Sequence, residues 1–327
     1  MLGNCLVTGA TGFIGYEVVR QLARRGLKPR CMIRRLRRGT VLSGLDVDFV
    51  VADLERPESL QRAVNGVDTV FHLAGRATFE PYDRLKPSMV DGSKALMQAA
   101  ADHGVKRFVF ASSLMVYGNT KTPIDRETPT APFVDYGRAK RECETAMREI
   151  AASAGMSCAA IRLPHVYGAT DLVFTDLLRR DLLISPGSED KPYGHMHVED
   201  AARVLVACAE QAFHGALPVA DDMNATWKEV FGVIERHYPR ARKLTIPPWL
   251  AIAGVSLLLP YQYLFNRQTL YTADAIRSWD ASLPVEPGVL WEELGMRPNY
   301  PTIHEGIPAV LDACVKRTWR HPLHDSC

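Results

Sequence analysis

The chain has 327 residues, 47% of them hydrophobic and 23% charged, with a formal net charge of +2. That is enough for one large core or two intimate domains, and too small a basic excess for a general nucleic-acid surface. Seven cysteines without a C-x-x-C pair point away from a disulfide framework or a zinc site and suit a reducing cytoplasm. No run reaches the ~18 apolar residues of a spanning helix. The first strand begins at once, leaving no room for a signal peptide.

Cys5-Leu6-Val7 reads as a short buried strand, and Tyr16 to Leu22 carries apolar residues at helical spacing. Between them lies Thr8-Gly9-Ala10-Thr11-Gly12-Phe13-Ile14-Gly15. Gly9 would permit a tight turn, Gly12 lets backbone approach a pyrophosphate, and Gly15 lets the helix pack closely on the strand. The helix N-terminus then offers its N–H groups and dipole to phosphate oxygens. Spaced glycines alone say little; strand, turn and helix in succession predict the first unit of a dinucleotide-binding fold.

Lys28 to Ile33 is predicted as a second strand ending at Arg34-Arg35, and Asp48 to Asp53 as a third. Pro57 to Val64 follows as a helix, then Thr69 to Ala74 as a strand ending at Gly75. Met89 to His103 is predicted helical, Arg107 to Ala111 a strand, Asp135 to Ala154 a long helix and Cys158 to Ile161 a strand. Such alternation gives an α/β, doubly wound parallel sheet covered on both faces, with ligands at the carboxyl ends of the strands. It lapses from about Tyr167. Residues 1–166 are therefore expected to form the dinucleotide-binding domain, with about 195–222 returning to it. Residues 167–327 would be mainly a smaller, interleaved substrate-binding part.

An acidic residue about 20 positions after the glycines would select NAD through the ribose 2′-hydroxyl. The second strand instead ends Cys31-Met32-Ile33-Arg34-Arg35. A guanidinium at Arg34 matches a 2′-phosphate, so NADP is favoured, with NAD left open.

Tyr-x-x-x-Lys occurs at Tyr82/Lys86, Tyr117/Lys121 and Tyr136/Lys140. Tyr117 runs into a turn-rich stretch, and Tyr82 lies between Pro81 and Pro87 with little room for a helix. Only Tyr136 begins a long amphipathic helix, where Lys140 falls on the same face. A neighbouring ammonium and an oxidised nicotinamide would lower the phenol pKa from about 10, letting Tyr136 exchange a proton with a substrate hydroxyl. A serine at the end of the preceding strand, Ser112 or Ser113, would hold the substrate oxygen in line.

The motifs together resemble the extended short-chain dehydrogenase/reductase superfamily, the epimerase/dehydratase-like group. They include Thr8 to Gly15, Ala52-Asp53-Leu54, His72-Leu73-Ala74-Gly75, Phe108 to Ser113, Tyr136-Gly137-Arg138-Ala139-Lys140, Arg162 to Gly168, His197-Val198-Glu199-Asp200 and Trp291 to Pro298. The resemblance implies a Rossmann-type fold with Ser113, Tyr136 and Lys140 as the catalytic trio. It further implies that Gly9, Thr11, Gly12, Phe13, Ile14 and Gly15 hold the cofactor, Asp53 and Leu54 border the adenine, and Leu73, Ala74 and Gly75 line the site. Pro164, His165 and Val166 would pass the nicotinamide, with Tyr136 and Lys140 also touching the cofactor. The family usually places an asparagine where this chain has Met89, so a side-chain tie between helix and strand is expected to be missing.

A diphosphate-linked sugar usually needs a basic residue before His197. The candidates between Gly168 and His195 are Arg179, Arg180 and Lys191, none of them close before the histidine. Residues 249–265, WLAIAGVSLLLPYQYLF, carry no charge and resemble the apolar C-terminal segment of the steroid-dehydrogenase-like branch. They read as a lid over an apolar substrate, a peripheral membrane contact, or a core helix broken at Pro260. The expectation is a cytoplasmic oxidoreductase interconverting an alcohol and a ketone on a small hydrophobic substrate. The alternatives are a nucleotide-sugar epimerase or dehydratase with tightly bound NAD, and a non-catalytic dinucleotide-binding protein. No metal is expected; the histidines lack an H-x-x-x-H zinc pattern, and His72, His165 and His197 read as structural. A homodimer is common in the family.

Overall fold

The structure, a computed structural model, describes residues 2–171, 174, 177, 181–264 and 272–316. Arg179, Arg180 and Phe265 of the features above lie outside them. The chain forms two compact units. The first takes Met1–Tyr117, Arg126–Leu163 and Glu199–Pro218; the second takes Gly118–Asp125, Pro164–Val198 and Val219–Cys327. The returning segment is thus shorter than 195–222, and 118–125 goes to the second unit.

The first unit is built on a parallel sheet of strands β1 (Cys5–Thr8), β2 (Arg30–Ile33), β3 (Asp48–Val51), β4 (Thr69–His72), β5 (Arg107–Ser113), β6 (Ser157–Leu163) and β10 (Gly215–Pro218). Their order is β10-β6-β5-β4-β1-β2-β3. The chain reverses direction of winding after β3, so β1 and β4 flank the point where a ligand crevice opens. β1 and β4 are buried along their whole length, as continuous apolar strands between two helix layers must be.

Helices α1 (Phe13–Arg24), α2 (Pro57–Val64), α4 (Gly92–Asp102) and α5 (Asp135–Ala154) cover the sheet. Helix α5 buries Ala139, Lys140, Cys143, Met147 and Ala151 along one face and stops at Gly155, whose φ of 63° gives the left-handed C-cap that glycine tolerates.

The segment around Tyr82 departs from expectation. Tyr82–Leu85 forms a short helix, α3, continued by a π-type turn over Lys86–Asp91 before α4 starts at Gly92 rather than Met89. Pro81 stands at the N-cap of α3, where its missing N–H costs no internal bond, and Pro87 at the start of the π-type segment.

In the second unit β7 (His165–Tyr167) pairs in parallel with β9 (Pro192–His197), which pairs antiparallel with β11 (Asn224–Thr226). β8 (Leu182–Ser185) and β12 (Arg242–Thr245) form a second small parallel pair. Tyr167, Trp227, Phe231, Ile234, Ile307 and Leu311 belong to its core. The apolar stretch forms one helix, Pro248–Leu264, continuous through Pro260. From Trp249 to Leu257 none of its residues is buried; Trp249 is 71% and Leu257 82% exposed. The core-helix expectation therefore fails for these residues. A helix apolar on all sides has no polar face to turn outward, and among its described side chains this one buries none. Among the described residues no helix is long and apolar enough to cross a membrane.

Candidate active site

The glycine turn is held tight by Gly12 N–H donating to Gly9 O at 2.8 Å. Gly9 has φ +69°, and a Cβ there would come within 2.8 Å of Ala74 N, so only glycine fits against the Leu73-Ala74 turn. A Cβ at Gly15 would stand 2.1 Å from Gly9 O, which is the close helix–turn approach anticipated for that residue. Gly12 caps α1 with no side-chain bond, and no acidic residue occupies the first turn. The N–H groups there are available to an anion. The cradle fits the pyrophosphate of a dinucleotide.

Around that cradle the other expected contacts fall at the ends of neighbouring strands. Arg34, Arg35, Arg37 and Arg38 are exposed just after β2, and none makes an ion pair among the described residues. Asp53 follows β3, its Oδ1 accepting Glu55 N–H at 3.2 Å. Leu54 is buried beneath Gly92 of α4. Leu73 and Ala74 are half-buried and Gly75, at φ +152°, is exposed.

Tyr136 stands on the first turn of α5, Lys140 one turn on, and Ser113 at the end of β5. Ser113 lies within hydrogen-bonding reach of the Tyr136 phenol. Ser112 is turned elsewhere, donating to Glu144 Oε1 at 2.5 Å. Lys140 Nζ is buried 2.7 Å from Ala111 O, 4.5 Å from the Phe110 ring centre and 5.7 Å from that of Tyr136. The other two Tyr–Lys pairs do not pair. Tyr82 donates to Glu142 and Lys86 binds Asp91, while the buried Tyr117 meets Arg162.

In the chain by itself, burial governs the electrostatics of the pair. Burial pushes the Tyr136 phenol well above its usual range, with Ser113 pulling it down only in part. Burial also drops Lys140 from 10.5 to about 8. Desolvation disfavours both charged forms and is the largest influence on each. In the chain by itself Tyr136 is a neutral proton donor.

Two supports escaped the sequence reading. Thr8 Oγ1 meets His72 Nδ1 at 2.7 Å and His72 Nε2 meets Ser93 Oγ at 2.8 Å, while Ala74 N–H donates to Thr8 Oγ1 at 3.1 Å. Burial holds the imidazole neutral, at about 3, so one nitrogen donates and the other accepts. This chain supplies the helix–strand tie expected to be missing at Met89; the methionine side chain instead packs behind Gly75. The second support is Glu80, a carboxylate only 1% exposed that gathers Arg76, Thr78 and Arg84. It knots the loop after β4 so that the Phe79 ring lies 5.3 Å from that of Tyr136. A lone Glu in a loop gave no sequence signal for the second, and the structural reading of His72 did not name its partners.

Pro164, His165 and Val166 belong to the second unit. His195 Nε2 donates to Ala225 O at 3.1 Å, so its Nδ1 accepts from His165 Nδ1 at 3.2 Å. His165 also packs on Trp227. His197 stacks on Tyr300. Among the described residues no group of three or more His, Cys, Asp or Glu is placed to hold a metal.

Residues 5–220 match the model of the NAD dependent epimerase/dehydratase family. The chain belongs to that family. It is an enzyme family of the epimerase, dehydratase and reductase type, within the extended short-chain dehydrogenase/reductases. The chain is 30% identical over 303 residues to the ceramide reductase of Caulobacter vibrioides, covering 88% of this chain and 89% of the relative. It is 29% identical over 314 residues to sterol demethylase protein B of Methylococcus capsulatus, covering 90% and 93%. Among solved structures, MoeE5 in complex with UDP-glucose and NAD superposes with a TM-score of 0.78 at 23% identity, over 97% of this chain and all of that one.

Proposed function

We propose that the protein is an NADP-favouring oxidoreductase that interconverts a ketone and an alcohol on a hydrophobic substrate, with Tyr136 as the proton donor. The observation that carries this reading is the convergence of a neutral, half-buried Tyr136 with Ser113 and Lys140 at the carboxyl end of β5. In the reductive direction Ser113 Oγ holds the substrate oxygen. Tyr136 gives that oxygen its phenolic proton as carbonyl becomes alkoxide. Lys140, in its ammonium form, stabilises the phenolate left behind. Bound NADPH supplies the hydride, and the exposed Arg34 guanidinium is the group suited to its 2′-phosphate.

An apolar substrate is favoured by the Phe79 ring against Tyr136 and by the names of the ceramide and sterol relatives. The helix Pro248–Leu264, unburied from Trp249 to Leu257 and preceded by the exposed Arg242 and Lys243 of β12, is in the same reading a contact with an anionic membrane surface holding such molecules. Co-sedimentation with phosphatidylglycerol vesicles tests that contact; no binding at low salt would remove it.

The central test follows reduced-nicotinamide absorbance with long-chain and ring ketones, and with UDP-glucose in parallel. Net oxidation of NADPH by a ketone supports the reading. Conversion of the UDP-sugar with no net change in cofactor, the signature of an epimerase, would replace it.

A further inference from the structure

Tyr136, Lys140 and Glu144 follow one another at four-residue intervals along α5 and so share a stripe of the helix. Glu144 takes no part in the site as described above, yet its side chain is only 10% exposed and faces the equally hidden Arg162. Arg162 Nη2 lies 2.8 Å from Glu144 Oε2 and Nε 3.1 Å from Oε1. Ser112 and Arg162 are register partners on β5 and β6, and both donate to this carboxylate. Arg162 spends another donor on the Tyr117 hydroxyl, at 2.6 Å. Buried ion pairs are costly to desolvate and commonly contribute no more stability than apolar packing. A carboxylate buried one turn from Lys140 therefore calls for a local use.

We propose that Glu144 is a positioning residue for the Tyr136–Lys140 pair, pinning α5 to β5 and β6 and supplying the negative charge that keeps Lys140 an ammonium. The inference rests on Tyr136 and Lys140 being the reacting pair. Around Lys140 stand the Ala111 carbonyl and Phe110 ring of β5, the neutral His72 of β4, and Tyr136 and the Cys143 thiol of α5. Cys143 and Glu144 both favour the ammonium, but burial holds the Cys143 thiol up at about 11 and so uncharged, which leaves the Glu144 carboxylate as the standing negative charge that opposes the desolvation of Lys140. Arg162 partly neutralises that field while holding the carboxylate in place.

The test reads Lys140 directly and needs no turnover. In the full chain labelled with 13Cε-lysine, the Lys140 resonance is assigned by its loss in Lys140→Arg and titrated against pH. Glu144→Gln keeps the shape but removes the charge and one of the two acceptor oxygens, leaving the amide oxygen to accept from Arg162, and should lower the Lys140 midpoint by about one pH unit. Arg162→Gln leaves the carboxylate less neutralised and should move the midpoint upward. Ser112→Ala, which loses a hydrogen bond but no charge, should leave it in place. Opposite shifts from the two charge-removing variants carry the proposal, because a merely structural role would not produce them. No shift, or shifts of one sign, would overturn it. If Glu144→Gln is insoluble, the direction of the Arg162→Gln shift decides alone. A failed proposed function would appear separately, as absence of ketone turnover with these titrations intact.

Discussion

Two long helices of this chain, α5 over Asp135–Ala154 and the apolar helix over Pro248–Leu264, make opposite use of similar lengths. α5 mixes apolar and charged residues, so one face has a reason to be inside, and Ala139, Cys143, Met147 and Ala151 are there. That fixed rotation also aims Tyr136, Lys140 and Glu144. The second helix is apolar all round and carries no charge. Nothing in its pattern prefers one rotation, and its described side chains through Leu257 are not buried. Polar residues gathered on one face are what orient a helix; hydrophobicity alone does not.

The largest expected effect lies at the tip of α5. Tyr136→Phe should lower turnover by about 10²–10⁴-fold while nucleotide affinity, read by fluorescence titration, stays near wild type. Retained turnover would separate the helix from the chemistry. In the wild type, reduction should weaken as pH rises through about 8, where the Lys140 ammonium is lost. Next comes packing on the same helix. Met147→Ala, at a fully buried position, should cost about 2–5 kcal/mol in urea unfolding.

A pH effect of intermediate size follows from histidines held neutral by burial, His72 and His165 near 3 and His195 near 4, against 6.5 when free. Below 6.5 the unfolded chain takes up protons that the folded chain refuses. Their stabilisation is therefore full above pH 6.5 and lost on acidification, by about 1.4 kcal/mol per pH unit for each. His72→Gln should flatten that slope by its single share in unfolding curves taken between pH 6 and 4.5. An unchanged slope would mean His72 is charged in the fold.

Arg34→Ala should weaken NADP binding about 10–100-fold and leave NAD nearly unchanged. Equal loss for both would remove the cofactor preference from this residue. Smallest of all, Leu257→Ser on the apolar helix should move stability by no more than about 0.5 kcal/mol, because the side chain is already 82% exposed. A large loss would show that the helix is packed after all, and would collapse the contrast with α5.

Much of the first unit was legible because its signals are local. The boundaries of α2 and α5 follow from Pro57, the apolar spacing and Gly155, and the glycine turn from steric needs within eight residues. The Tyr–Lys pair could be chosen among its rivals because only Tyr136 starts a long helix. Segments around Tyr82 misled, since prolines at a first turn do not prevent a helix from forming there. Ser112 and Ser113 could not be told apart by chemistry; their different partners depend on how α5 lies over β5.

What the sequence determined by itself is the glycine turn, the order of the parallel strands' helical connections and the family. Each depends on residues close together in the chain. Tertiary structure alone decided which buried groups meet. Arg162 finds Glu144 because Ser112 and Arg162 share a register across β5 and β6, and His72 links Thr8 to Ser93 because β1 and β4 are neighbours. It also decided the charge states, since burial is a property of the fold: Tyr136 is neutral and Lys140 is brought down to about 8 by the same loss of water.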